Sequence, residues 1–570
     1  MGRARPASTS LKRISFAATF LLAACTSHGS APSAARTEAG ITEADVRSRI
    51  YLIADDSMRG RQAGKLGNFM MTSYLAREAA RLGLEPAGEN GSFFQTVPLA
   101  QRSLDSTSSF VVGRDSLELF TDFALMRPTP TLRAGRSLAV TGVVPIYAGR
   151  AGDSAFSISA EQATGHIVVF SAPLGTNGRP SGTYATVAAD ALTRFPTATA
   201  IAIVNLDFLT QATANSMRSH AVAIVTVRDS IGPRPAGVLF SLRAASKIFG
   251  VPIDSLRAGA LGNPVTARIS FVDRSIEAPA RNVIAMIRGS DPKLRGQIIA
   301  IGAHSDHLGL AAVAVDHDSL RAFNRVMRPE GAQSVAATPT PAQLSRIRLI
   351  LDSLRRVNRP RLDSIYNGAD DDGSGSVAEL EIAESLASSP RPRRSILFVW
   401  HTGEEAGLLG SSWFTDNPTV PRDSIVAQLN MDMVGRGTAE DVLRGGPRNI
   451  QVIGARRRST ELGNVIEQVN ARRAEPYLID YTFDAPRHPL NRFCRSDHYM
   501  YARYGIPIAF FSRGYHIDYH VVTDEPQYIN YGGLARVAGF VRDVAVELAN
   551  RDARLVIDKP KPDLRGPCRQ

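Results

Sequence analysis

The chain has 570 residues, of which 44% are hydrophobic, 21% charged and 7% aromatic, a balance that excludes a disordered or fibrous protein and predicts two or three folded domains. The formal charge of +12 arises from 66 Lys and Arg against 54 Asp and Glu, but 60 of those cations are Arg spread along the whole length, which excludes a dedicated nucleic-acid patch. Three cysteines, Cys25, Cys494 and Cys568, are too few for a disulfide framework and lack the close spacing of a structural zinc site.

Residues 1–24 carry Arg3, Arg5, Lys12 and Arg13, then an apolar run over 14–24, with no acid. This is the plan of an export signal, and the run is too short to span a bilayer permanently. Leu22-Ala23-Ala24-Cys25 resembles the lipobox of bacterial lipoproteins, which implies a lipid on Cys25. The expectation is an exported, membrane-anchored protein facing the periplasm or the cell exterior. Residues 25–40, rich in Ser, Ala and Gly, read as a flexible tether.

Thr42, with Asp45 three residues on, predicts a helix over 42–54, and Leu66, Met70 and Tyr74 mark the apolar face of a second helix ending near Gly83. Residues 41–137 are read as the N-terminal part of a catalytic domain. Over 138–272 the pattern becomes short β-rich runs such as 165–170 and 200–204, predicting a separate small domain. From 273 to 555 buried strands alternate with helices, the mark of an α/β fold with a mixed, largely parallel sheet flanked by helices. Strands are expected over 282–287, 297–303, 395–400, 426–431 and 506–511, and helices over 376–388 and 533–550, before a tail at 556–570. Between them, 311–363 is an insertion with one helix: Thr340 as N-cap, Pro341, Gln343, then Leu344, Ile347, Leu351 and Leu354 as a stripe packed on the body.

Five clusters of acids and imidazoles fall where apolar strands run out or a helix begins: His304-Ser305-Asp306-His307, Asp370-Asp371-Asp372-Gly373, Glu404-Glu405, Asn430-Met431-Asp432 and Tyr519-His520. In open parallel sheets ligands bind beyond the carboxyl ends of the strands, so these positions are expected to converge. Two His and three carboxylates suit hard-to-borderline divalent ions, a shared carboxylate permits a pair of them, and zinc fits without a thiolate.

In their order, the segments 302–309, 367–375, 401–411, 429–435 and 518–520 closely resemble the metal motifs of the co-catalytic di-zinc exopeptidases, the family of bacterial leucyl aminopeptidases and glutamate carboxypeptidase II. Residues 58–98 resemble the N-terminal segment of its lipoprotein members, 138–272 more loosely the protease-associated domain, and Ser496-Asp497-His498 a further motif near the site. Carried over, the resemblance implies two zinc ions, one held by His304 and Asp432, the other by Glu405 and His520, with Asp371 bridging. It implies Glu404 as general base to water activated between the ions, Asp306 accepting a hydrogen bond from His304, Tyr519 donating to the developing oxyanion, and a cis peptide between Asp371 and Asp372.

The expected activity is that of an aminopeptidase acting on peptides. A glutamate-type carboxypeptidase, a glutaminyl cyclase and a silent binding scaffold remain the alternatives, and a carboxylate-binding Arg cluster facing the site separates the first two peptidase readings. His307, His401, His498 and His516 are read as structural or substrate-facing, and Cys494 as a buried or disulfide thiol. The 67 positions between His304 and Asp371 exceed the usual connection in the family, so the insertion is expected either to wall the cleft or to decorate the surface elsewhere.

Overall fold

The computed structural model describes residues 1–2, 37–126, 137–153, 157–175, 178–180, 185–209, 217, 221–224, 235–334, 337–562, 564, 568 and 570. Residues 3–36, with the expected export signal's apolar run, Cys25 and most of the expected tether, lie outside the described residues, and among the described residues no helix is long and apolar enough to cross a membrane.

The larger sheet has nine strands. Its centre is a parallel quartet in the spatial order Ser395–His401, Ile298–His304, Ile425–Met431 and Ile508–Ser512. Antiparallel strands flank it, Ala280–Ile287 on one side and Asn449–Ile453 on the other. The central strands are buried along both faces, which is why their sequences read as continuous apolar runs rather than alternations. The fold is therefore α/β, mixed and largely parallel, as expected.

The helix Gly373–Ala387 is almost wholly buried between the sheet and the helices Glu43–Ile53 and Tyr531–Asn550. Its polar residues are buried with partners: Ser376 donates to the His304 carbonyl at 2.7 Å and Glu379 accepts the Val399 N–H at 2.7 Å. Asp372 caps it, accepting from the Gly375 N–H at 2.9 Å. A side chain at Gly375 would collide with that carboxylate and with the Met431 carbonyl, so glycine is what lets the helix start against the strand end. The buried Arg49 guanidinium ties the first helix to this one through Glu381 and Glu384.

A second unit is built from a five-stranded and a four-stranded sheet. Three central strands of the former, Ile167–Ser171, Ala200–Val204 and Ala236–Phe240, are parallel and fully or nearly fully buried. The unit starts upstream of the expected boundary at 138. Ser109–Val112 pairs with Val265–Ile269, and Phe123–Leu125 with Ala236–Phe240, so part of 41–137 belongs here. Only long-range pairing decides that membership, and the short strands carry no local signal of it. Cys494 and Cys568 form a disulfide that fixes the C-terminal tail near the body.

The insertion is larger than one helix. Gly309–Asp316 and Leu362–Tyr366 form an antiparallel ribbon, and between them lie the helices His317–Met327 and Pro341–Val357. The second has the expected capping box and Pro at its first turn. Its stripe does not pack on the body, however: none of its residues is buried, Leu344 is 43% exposed, and its neighbour is the other inserted helix. That other helix makes the contact with the body through polar residues. His317 bonds to Glu525 at 2.9 Å and to Asp318 at 3.1 Å, Arg321 pairs with Asp518, and Asn324 donates to the Ile517 carbonyl at 2.9 Å.

Burial alone would lower the His317 pKa, but the bonds to Glu525 and Asp318 outweigh it and Arg361 beside them, so the imidazole sits above its ordinary 6.5. A folded-state pKa above the unfolded one stabilises fully below the unfolded value and loses that contribution as pH rises through the folded value. The wild-type chain is therefore expected to exceed His317→Gln in unfolding free energy more at about pH 6 than at about pH 9. Parallel stability profiles for the two proteins across that range would contradict this.

Candidate metal centre

The clusters at the carboxyl ends of the parallel strands converge. His304 ends its strand, Glu404 and Glu405 follow Ser395–His401, Asp432 follows Ile425–Met431, and Asp371 precedes the buried helix. The peptide between Asp371 and Asp372 is cis, as the resemblance implied.

Two groups of ligand atoms share Asp371. In the first, His304 Nε2 lies 3.3 Å from Asp371 Oδ1 and 3.9 Å from Asp432 Oδ1. In the second, His520 Nε2 lies 3.0 Å from both Asp371 Oδ2 and Glu405 Oε2. His307 joins the second group: its Nδ1 is 2.7 Å from Glu405 Oε1, and its Nε2 is buried without a hydrogen-bond partner. His307, read as structural or substrate-facing, thus lies beside ligand-type atoms. Glu404 Oε2 stands 3.9 Å from His304 Nε2, on the edge of the first group.

The electrostatics are those of a site built for cations. Burial pushes the Asp432 carboxyl up to about 7, against the pull of His304. Burial also raises Glu404 well above its ordinary value, with Glu405 and Asp432 adding to the effect. Burial would raise Glu405 too, yet His520, helped by a hydrogen bond from His307, holds it at about 2. Crowded carboxylates in a buried place need positive charge beside them. Imidazoles and carboxylates without thiolates, together with a buried His307 Nε2 lacking a hydrogen-bond partner, fit divalent zinc.

The surroundings position these groups. The His304 Nδ1 bonds at 3.1 Å to the backbone carbonyl of Asp306, whose carboxylate is farther off at 3.7 Å. That carboxylate accepts the Glu404 N–H at 3.1 Å, so Asp306 orients both His304 and the loop that carries Glu404. Asp306 thus accepts from His304, as the resemblance implied, through its backbone carbonyl. Asp372 accepts the His304 N–H at 3.0 Å, and Asp524 accepts the N–H of Asp370 and Asp371, the latter at 3.1 Å. The fully buried Arg61 donates to the carbonyls of Ser305, Ile53, Asn367 and Gly368, locking two of the ligand loops together.

Tyr519 stacks on His520 with ring centroids 4.0 Å apart, and its hydroxyl accepts from Arg495 Nη2 at 3.2 Å. Burial lifts the phenol well above its ordinary pKa, so it stays protonated and keeps its hydrogen to donate. His401 and His498 are buried away from the ligand groups: His401 bonds to the Tyr501 hydroxyl at 3.0 Å and His498 stacks on Phe510. Burial lowers both to about 3. His516 pairs with Asp370 at 3.0 Å.

Sequence reasoning missed Arg61, Asp524 and Arg495. Arg61 had a signal in the segment 58–98, whereas Asp524 and Arg495 are single polar residues with none. A cavity of about 290 Å³ opens onto Asp371, Glu404, Glu405, Asp432, Tyr519 and His520. A more open depression of about 630 Å³, beside Arg473 and Arg536, holds none of the ligand residues.

Residues 282–545, just under half of the chain, match the model described as Peptidase family M28, and they hold every ligand residue named above. An aminopeptidase of Pseudomonas aeruginosa (strain UCBPP-PA14) is 43% identical over 77 residues, covering 13% of this chain and 14% of that protein. Leucine aminopeptidase 1 of Penicillium rubens is 31% identical over 194 residues, 32% of this chain and 47% of that one. The chain thus spans less than half the length of these curated relatives. Among solved structures, an aminopeptidase from Aneurinibacillus sp. strain AM-1 aligns over 92% of this chain and 98% of that one, at 15% identity and a TM-score of 0.46.

Proposed function

We propose that this chain, a hydrolase whose residues 282–545 form an M28-type metallopeptidase domain, is a zinc-dependent aminopeptidase that releases N-terminal residues from peptides. The observation that carries the reading is the pair of ligand groups sharing Asp371, with Glu404 at their edge and a cavity of about 290 Å³ in front. A cavity of that size admits the end of a peptide rather than the middle of a folded chain. The names of the relatives, aminopeptidase and leucine aminopeptidase, favour the N-terminal end.

In this reading His304 and Asp432 would hold one zinc ion and Glu405 and His520 the other, with Asp371 shared between the two groups and His307 beside the second. When bound, zinc would supply Lewis acidity, which makes a water more acidic and a carbonyl more electrophilic. Glu404 takes the proton from the attacking water and delivers it to the leaving amine as the C–N bond breaks. The Tyr519 O–H donates to the oxyanion that develops on the carbonyl, a group already aimed by the Arg495 bond to its oxygen. Asp306 keeps the His304 ring in place through its carbonyl.

Export, lipidation of Cys25 and attachment to a membrane facing the periplasm or cell exterior belong to the same proposal. The β-rich unit is read as a protease-associated-like domain that shapes access to the cleft. A glutamate-type carboxypeptidase is the second reading, because Arg492 and Arg495 line the cavity.

The test is mass spectrometry of peptides offered free, N-acetylated and C-amidated to the zinc-loaded protein, with a chelated control. Acetylation is expected to abolish cleavage and chelation to stop it. Cleavage that survives acetylation and is lost only on amidation would replace this reading with the carboxypeptidase.

A further inference from the structure

Two cations line the cavity, and their surroundings differ. Arg492 is buried, its guanidinium lying 4.1 Å from the Phe483 ring centroid and 4.0 Å from that of Tyr515, bonded to Gln451 and 4.0 Å from Glu330. Glu330 and the two rings offset its charge within the protein. Arg495 is exposed, and it bonds only to neutral partners: Gln333 Oε1 at 2.7 Å and the Tyr519 hydroxyl at 3.2 Å. Among the described residues no carboxylate lies within ion-pair distance of it. The acids whose field it feels across the cavity, Glu404 and Asp432, are the ones assigned to proton transfer and metal binding.

Gln333 comes from the insertion, and the insertion is fastened where it matters. The Ala332 N–H donates to the Tyr519 carbonyl at 2.9 Å. Gly331 beside it has φ +53° and no room for a side chain, since a Cβ would collide with the Tyr519 backbone. The inserted segment thus reaches the cleft wall and aims a guanidinium. A planar fork of N–H donors with no paired acid is the geometry that binds a carboxylate in two-point fashion.

We propose that Arg495, aimed by Gln333 of the insertion, recognises a carboxylate on the substrate, so that the preferred substrates are short peptides carrying a carboxylate within about one residue of the scissile bond. This rests on the peptidase reading and names the substrate class of that site. The carboxylate has two sources, a free C-terminus or an acidic side chain, and the substrates below separate them.

The experiment measures kcat and KM of the zinc-loaded full chain on Leu-Ala, Leu-Ala-amide and Leu-Glu-amide. At least one of the two carboxylate-bearing peptides is expected to exceed Leu-Ala-amide in kcat/KM by about ten- to a hundredfold, mainly through KM. Preference for Leu-Ala assigns the C-terminus, and preference for Leu-Glu-amide the side chain. Arg495→Gln is expected to bring the preference to within about twofold, Arg495→Lys to keep part of it, and Gln333→Ala to weaken it, effects a purely structural role would not tie to substrate charge. Equal turnover of all three peptides by the wild-type protein, or a preference intact in Arg495→Gln, would overturn this inference and leave the peptidase reading standing. No zinc-dependent hydrolysis of any of them would remove both.

Discussion

Glu404→Gln is expected to lower kcat by about two to four orders of magnitude while zinc content stays at the wild-type level. The magnitude follows from where the carboxylate stands. It is buried at the edge of the first ligand group, 3.9 Å from His304 Nε2, with its backbone N–H fixed by Asp306. An amide at that position fills the same volume and keeps the loop in place, but it can neither take a proton from water nor pass one to the leaving amine. Steady-state kinetics together with metal analysis of the purified variant check this. Turnover within about tenfold of wild type, with both ions bound, would remove Glu404 from proton transfer.

Asp371→Ala is expected to weaken zinc binding by more than about 100-fold and to abolish hydrolysis. Asp371 is the one residue common to both ligand groups, with one oxygen near His304 and the other near His520. Its loss strips an acid from each group at once, whereas Asp432 or Glu405 serves one. The backbone should persist, because Asp370 and Asp372 hold the neighbouring loops through the Gly435 and His304 N–H groups at 2.6 and 3.0 Å. Isothermal titration with zinc, alongside a circular dichroism spectrum to establish folding, decides the matter. A folded variant that still binds two equivalents tightly would mean that Asp371 does not bridge.

The parallel quartet was legible in the sequence because its strands are buried on both faces and read as unbroken apolar runs. The ligand positions were legible because they sit immediately after those runs or at the start of a capped helix. What escaped was decided by distant partners. The helix His317–Met327 buries His317, Asp318, Arg321, Ala322 and Asn324, a mostly polar face that carries no apolar signal of contact with the body. Their burial is supported by Glu525, Asp518 and the Ile517 carbonyl, about two hundred positions away in the chain. Conversely, the stripe on Pro341–Val357 suggested packing on the body, but a stripe says that a helix has a neighbour without saying which. The place of His307 likewise depends on a distant partner, Glu405, 98 residues on, which meets its Nδ1. Arg495 is a single arginine among 60, distinguished only by the amide oxygen and the hydroxyl that it meets.

Titration of metal-free protein with zinc, following release of the N-terminal residue from a free peptide, tests the account most directly. Activity is expected to be absent without metal, to rise with added zinc, and to level off at about two equivalents per chain, the count set by two ligand groups joined through one shared carboxylate. Hydrolysis that persists in the thoroughly chelated protein, or a plateau at one equivalent with no second ion bound, would contradict the two-ion centre on which the account rests.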